Sequence, residues 1–285
     1  MIRGRIRLLL LIGALALTVI AVFRPSLPAE REVFHYLFVV DVTRSMNVPD
    51  YLLNGEPISR LELTRRSLQR FLREVPCDSK VGIALFSGWQ TGLLLNPVEA
   101  CGHRQELTEL VSDIDWTLGW VPQSNVRRAL VDGMAHQRRM ESPPTLVFIS
   151  DGDEAPAFGG AGGWTGASVP ELAAPVILVG TGSEEASNVP RLDPRGQSTG
   201  FLSLPSGAAA VSRLDEEHLV GLAAEPDISY LRLRDDEQLV TDLLGPEHAT
   251  RLPGERPLAP LFAGLALLLL VAVHVPALVN RGPRP

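Results

Sequence analysis

The chain has 285 residues, 45% of them hydrophobic and 21% charged, enough for one good-sized domain with accessory segments. Five of its 26 basic residues lie outside residues 24–257, so that stretch carries 21 basic against 33 acidic residues, a net charge of −12. An acidic surplus of this size excludes nucleic-acid binding, which needs basic patches for the phosphates.

Residues 8–23 contain no charge, and residues 258–279 contain none either. The second stretch has the length of a bilayer-spanning helix, while the first suits either a short anchor or a signal-peptide core. Arg3, Arg5 and Arg7 precede the first stretch and Arg281 and Arg284 follow the second. Basic flanks stay on the cytoplasmic side, so both termini are expected inside a bacterial inner membrane if the first segment is uncleaved. The middle of the chain is then periplasmic. The resulting division is an N-terminal anchor or signal at 1–25, a periplasmic domain at 30–246, a proline-bearing linker at 247–257 and a C-terminal transmembrane helix at 258–280.

Within the domain, residues 34–40 form a near-continuous apolar run, as in a strand buried on both faces. A loop with Pro49 and Pro57 follows, and the spacing of Leu61, Leu68, Phe71 and Leu72 predicts an amphipathic helix over 60–73. Residues 81–86 and 91–95 read as a hairpin. Helices are expected at 105–114, 126–139, 216–224 and 236–244, and strands at 145–150, 175–179 and 228–233. This alternation predicts an α/β fold with an open, mostly parallel, doubly wound sheet and one antiparallel hairpin edge. Residues 152–174 and 182–212 read as long loops, a length that usually marks function or mobility.

Three short segments carry the chemistry. Asp41-Val42-Thr43-Arg44-Ser45 follows the first buried strand and aims one carboxylate and two hydroxyls at a point. Ser124-Asn125-Val126 opens a helix, and Ser150-Asp151-Gly152 ends another buried strand. All three offer hard oxygen donors, the ligand set of Mg²⁺ or Mn²⁺, with Ca²⁺ also admissible, and not that of zinc. Taken singly, a D-x-T-x-S loop or an Asp-Gly turn is common by chance. Their order along the chain, each at a strand end or helix start, is much harder to obtain that way.

These segments resemble the metal-ion-dependent adhesion site of the von Willebrand factor A (VWA) family. The resemblance implies a Rossmann-like sheet with the first and fourth strands adjacent. It also implies direct ligation by Thr43, Ser45 and Ser124, with Asp41 and Asp151 acting through water. Thr43 and Ser124 depart from the usual residue types but keep the hydroxyl. A narrower similarity runs through Asp41-Val-Thr-Arg-Ser-Met-Asn-Val-Pro-Asp-Tyr51, Ser59-Arg60-Leu61, Val75-Pro76-Cys77, Asn96-Pro97-Val98-Glu99-Ala100-Cys101, Ile114-Asp115-Trp116 and Ser150-Asp-Gly-Asp-Glu-Ala-Pro156. It points to the MxaL-type proteins of bacterial methanol-oxidation gene clusters, associated with maturation of a calcium- and quinone-dependent methanol dehydrogenase. Anchored VWA proteins of the aerotolerance type share the site and the topology and remain a competing assignment.

Cys77 and Cys101 flank the two hairpin strands at their open end, and export permits oxidation, so a disulfide is expected against the alternative of two buried thiols. No zinc spacing, G-x-S-x-G elbow or phosphate-binding loop occurs. Asp153, Glu154 and Trp164 are candidates for a binding rim, while Trp116 and Trp120 are expected to pack beneath the Ser124 loop. The expectation is a non-enzymatic adaptor that binds an Asp or Glu of a protein partner through a bridging cation, with no small-molecule substrate. The competing classes are a metal-dependent hydrolase, which needs bridging carboxylates and a general base, and a scaffold with a vestigial metal loop.

Overall fold

The computed structural model describes residues 2–121, 124–154 and 171–279, in two compact units. The larger unit, residues 33–250, is built on a six-stranded sheet. Its strands are His35–Asp41 (β1), Lys80–Ser87 (β2), Gln90–Glu99 (β3), Thr145–Ser150 (β4), Val176–Thr181 (β5) and Ile228–Leu233 (β6). The order across the sheet is β6-β5-β4-β1-β2-β3, parallel except for β3, which pairs antiparallel with β2. Crossovers leave β1 in opposite directions, so the β1/β4 boundary is the switch point at which α/β sheets open a crevice.

Alternation along β1 divides the core. Tyr36, Phe38 and Val40 pack on helices Arg60–Glu74 (α1), Arg104–Ser112 (α2) and Asp236–Leu243 (α5). Phe71 stands edge-on to both Tyr36 and Phe38, with centroids 5.6 and 5.2 Å apart. Leu37 and Val39 face the other way, onto Val126–Arg138 (α3) and Glu216–Leu222 (α4). Burial on both faces explains why β1 is an unbroken apolar run. Helix α1 begins where Ser59 caps it, accepting the Glu62 N–H at 3.1 Å; the S-x-x-E spacing is that of a capping box.

Two expected loops contain strands. Tyr51–Leu53 and Glu56–Ile58 pair antiparallel around Asn54-Gly55, both at positive φ (52° and 85°). Asn-Gly is the pair that tolerates such a turn. Within 182–212, Ser187–Asn188 pairs with Val211–Ser212, and Pro190–Leu192 with Ser198–Phe201. These strands are two to four residues long and mostly exposed, so they lack the apolar alternation that marks a strand in sequence.

Cys77 and Cys101 are joined in a disulfide, Cα atoms 5.1 Å apart, at the open end of the β2–β3 hairpin. Beside it the Glu99 carboxylate accepts the N–H groups of Asp78, Cys101 and Gly102 at 2.9, 3.0 and 2.6 Å.

The smaller unit comprises residues 1–32 and 251–285. Helix Ile2–Val22 contains an 18-residue window, Arg5–Val22, of mean hydropathy 2.2, long and apolar enough to cross a membrane. Helix Ala259–Val279 packs against it, with Gly13 in the contact: a Cβ there would come within 3.3 Å of Leu269. The stretch expected as a linker is instead a strand, Thr250–Pro257, paired with Ser26–Val33. Ser26 hydrogen-bonds Glu255 at 2.8 Å, and Glu32 lies 3.7 Å from Arg251. Both strands are almost wholly exposed and bury no apolar face, which removes the signal by which a strand is read.

Candidate metal centre

The carboxyl ends of β1 and β4 lie side by side, Val40 opposite Ile149, which places Asp41 and Asp151 in neighbouring loops. Both are fully buried (0% exposed). Asp41 folds its own loop: its Oδ1 accepts the Thr43 N–H at 2.8 Å, and a single 3-10 turn, Arg44–Asn47, follows. Buried Met46 and Val48 pin that turn to the core. The Thr43 and Ser45 hydroxyl oxygens sit 3.1 Å apart. Asp41 Oδ2 accepts the Ser150 hydroxyl at 2.7 Å, and Ser150 in turn accepts the Gly152 N–H. Gly152 has φ 72°, and a Cβ would meet the Asp215 carbonyl and Leu219 at 2.8 Å, so only glycine lets the chain turn there.

Ser124 reaches the same end of the sheet from a different direction. It bridges to Gly88, which follows β2, and the Asn125 N–H donates to the Gly88 carbonyl at 2.7 Å. Asn125 then caps α3 by accepting the Arg128 N–H. The Ser124 residue is 6% exposed, and its hydroxyl has no hydrogen-bond partner among the described residues. Buried polar groups are nearly always paired, and an orphan of this kind is open to a ligand, an ion or a water.

Asp151 is held more heavily than the sequence suggested. Its Oδ2 accepts from Arg60 Nη1 at 2.6 Å and from the Ser212 hydroxyl at 3.3 Å, while its Oδ1 accepts the Asp153 N–H at 3.1 Å. Arg60, the second residue of the Ser59-Arg60-Leu61 motif, is fully buried and also donates from Nε to Asp50 at 2.6 Å. Arg60 and Ser212 are therefore site neighbours that the sequence reading left out, and Ser150, read there only as part of its segment, is the partner that orients Asp41. An arginine at the start of an amphipathic helix reads as solvated, and only its 0% exposure reveals the role.

Burial and the nearby Asp151 charge push the Asp41 carboxyl up to about 7, against the opposing hydrogen bonds from Thr43 and Ser150. Burial also raises Asp151, but the Arg60 guanidinium and the Ser45 hydroxyl pull it back. Asp41 has no ion pair among the described residues, so an added cation would relieve it most.

The donor accounting fits a hard divalent cation. Each oxygen of both carboxylates already accepts a hydrogen bond. The hydroxyls of Thr43, Ser45 and Ser124 retain lone pairs, and Ser124 uses none. Asp153 and Glu154 are half-buried beside this cluster, Glu154 4.0 Å from His218 Nε2, while His218 Nδ1 meets the Gly152 carbonyl. Trp120 does not pack beneath the Ser124 loop as expected. It is 45% exposed, with its ring against Gly92 on β3, where the absent side chain leaves room. Trp164 lies outside the described residues.

Residues 36–154 match the family model for the von Willebrand factor type A domain. Over that stretch, less than half of the chain, the sequence is similar to VWA domains. Among solved structures it is similar to an aerotolerance-related membrane protein from Bacteroides fragilis, in a form with multiple mutations to serine. The two share 19% identity and a TM-score of 0.57, covering 73% of this chain and 96% of that one. It is also similar to the conserved hypothetical protein BatB from Bacteroides thetaiotaomicron, at 19% identity and TM-score 0.56, covering 74% and 95%. At this identity the likeness is one of fold. Comparison with curated protein sequences gives no significant match. The matched segment begins inside β1 and ends just past Asp151, so Asp41, Thr43, Ser45, Ser124 and Asp151 all fall within it.

Proposed function

We propose that the chain is a membrane-anchored, non-enzymatic adaptor whose VWA domain captures an Asp or Glu carboxylate of a protein partner through a divalent cation, Mg²⁺ foremost. The observation that carries this reading is the asymmetry of the donors: the carboxylates are engaged by protein hydrogen bonds, and the buried Ser124 hydroxyl has no partner among the described residues. Thr43, Ser45 and Ser124 would hold the cation, with Asp41 and Asp151 behind them. When bound, a cation held by neutral hydroxyls supplies an electrophilic position that an incoming carboxylate can fill. Asp41 contributes charge without contact, and Ser150 and the Thr43 N–H fix its orientation. Hydrolysis needs a general base near bridging carboxylates; the two carboxylates here are instead tied to Arg60, Ser150 and backbone N–H groups.

The apolar N-terminal helix supports membrane attachment, and the basic flanks support a periplasmic domain with both termini inside. Residues 258–280 supply the second span in this reading. The MxaL-type similarity makes the partner a methanol dehydrogenase or one of its maturation factors. A second reading, an aerotolerance-type envelope protein, is favoured by the two structural neighbours, one described as aerotolerance-related and membrane-bound. The test is partner capture by the full chain in detergent with Mg²⁺, with EDTA, and with Asp41→Ala. Capture is expected in Mg²⁺ alone; capture that survives both EDTA and Asp41→Ala would sink the metal-bridged mechanism.

A further inference from the structure

The largest fully buried side chain among the described residues is Arg60, a cation beside the site proposed for a cation. It is clamped between two carboxylates, Asp50 through Nε and Asp151 through Nη1, each at 2.6 Å. Ser212 completes the cage, accepting from Nη1 at 2.8 Å and offering its carbonyl to Nη2 at 3.4 Å. Asp50 also accepts the Ser183 N–H at 2.8 Å. The segment 183–212 is thus fastened to the same network at both of its ends.

Resting on the metal-binding reading, we propose that Arg60 is the positioning residue that withholds Asp151 from direct contact with the cation and so tunes the site toward an incoming carboxylate. Turning Asp151 to coordinate directly would strip the buried guanidinium of a partner, and an unpaired buried charge is strongly disfavoured. With Asp151 withheld, more of the cation's charge remains for a ligand from outside. Asp50 holds the other edge of the guanidinium, so Arg60 does not simply repel the cation. Asp41, Asp50, Asp151 and Arg60 together carry two negative charges when ionised, the complement of one divalent ion.

The charge relations give the two flanking residues opposite signs, which structural damage alone would not. The full chain in detergent is titrated with Mn²⁺, followed by electron paramagnetic resonance, with and without acetate as a stand-in for a partner's carboxylate. Arg60→Gln frees Asp151 and is expected to tighten Mn²⁺ by roughly tenfold while abolishing the response to acetate. Asp50→Asn leaves Arg60 wholly on Asp151 and is expected to weaken Mn²⁺ several-fold while keeping that response. The double variant Asp50→Asn/Arg60→Gln removes both buried charges, which protects folding, and is expected to bind Mn²⁺ at least as well as wild type without responding to acetate. Equal weakening in both single variants, or a double variant that responds to acetate as wild type does, overturns the role of Arg60. A wild-type chain that takes up no Mn²⁺ overturns the metal-binding reading itself, and this one with it.

Discussion

Asp41 and Glu99 are each the last residue of a sheet strand, and each accepts backbone N–H groups from the loop that follows, yet their carboxyls are driven in opposite directions. Three N–H donors at a solvent-facing corner hold Glu99 below the usual carboxylate range. Asp41 is sealed from water and faces Asp151, and burial overrides its hydrogen bonds. Glu99 is a turn clamp beside a disulfide, complete as it stands. Asp41 holds its proton to a higher pH than an ordinary carboxyl. Local hydrogen bonding alone does not set a carboxyl's charge; burial without a counter-charge outweighs it.

The sharpest way to break this contrast is to neutralise Asp41. Asp41→Asn keeps an oxygen for the Thr43 N–H but removes the charge. The metal-free variant is expected to melt above metal-free wild type, and Mg²⁺, which should raise the wild-type melting temperature, should leave the variant unmoved. Calorimetry with and without Mg²⁺ reads both effects. A variant that still gains stability from Mg²⁺ would place the cation elsewhere.

At the other end of the sheet the expected damage is to stability alone. Replacing Cys77 and Cys101 by Ala opens a loop with a sequence separation of 24, a loss of roughly 3 kcal/mol in the chain-entropy model. Denaturant unfolding should show that loss, while Mn²⁺ affinity should stay at the wild-type value. A fall in affinity would mean the two ends of the sheet are mechanically linked.

Legibility followed burial. The six sheet strands and five helices were readable because each puts apolar residues on a face that packs, as Phe38 and Phe71 do. Strands that pair without burying anything, Thr250–Pro257 and those between Ser187 and Ser212, left no such trace. Asn54-Gly55 was a readable turn signal that the flanking prolines obscured. At the candidate site, Asp41, Thr43, Ser45, Ser124 and Asp151 are the residues that spacing singles out. Arg60 and Ser212 do not, since they meet Asp151 from 91 and 61 residues away. Only tertiary contact makes them part of the site.

pH separates the two carboxylates with a smaller effect. A group whose folded pKa is raised contributes stability that is full below its unfolded value and is lost as pH climbs through the folded one. For Asp41 that loss runs from 3.8 up through about 7. Glu99 is lowered, so its contribution is present above 4.5 and disappears as acid is added. Metal-free domain stability should therefore fall by an amount on the order of 2 kcal/mol between about pH 5.5 and about pH 8. Saturating Mg²⁺ should flatten that limb, and Asp41→Asn should reduce it to the share carried by Asp151, whose carboxyl is also raised by burial. Glu99→Gln should affect only the acid limb. His35 opposes the trend, because burial and then the Lys80 charge lower it; the Asp41→Asn difference cancels that background. An alkaline limb undiminished in Asp41→Asn would assign it to another group.

The smallest expected change is the most discriminating for the site. Ser124→Ala deletes a buried hydroxyl that has no partner among the described residues. Removing a satisfied buried hydroxyl normally costs about 1 kcal/mol, whereas removing an orphan costs nothing or is slightly favourable. The metal-free variant should thus unfold within about 0.5 kcal/mol of wild type. Its Mn²⁺ affinity should nevertheless drop, because one of three neutral donors is gone, and Ser124→Thr should restore it by returning the hydroxyl. A structural serine would behave in the reverse way, losing stability and leaving affinity alone. Paired unfolding and Mn²⁺ titrations on the two variants decide between a hydroxyl that waits for a ligand and one that merely fills space.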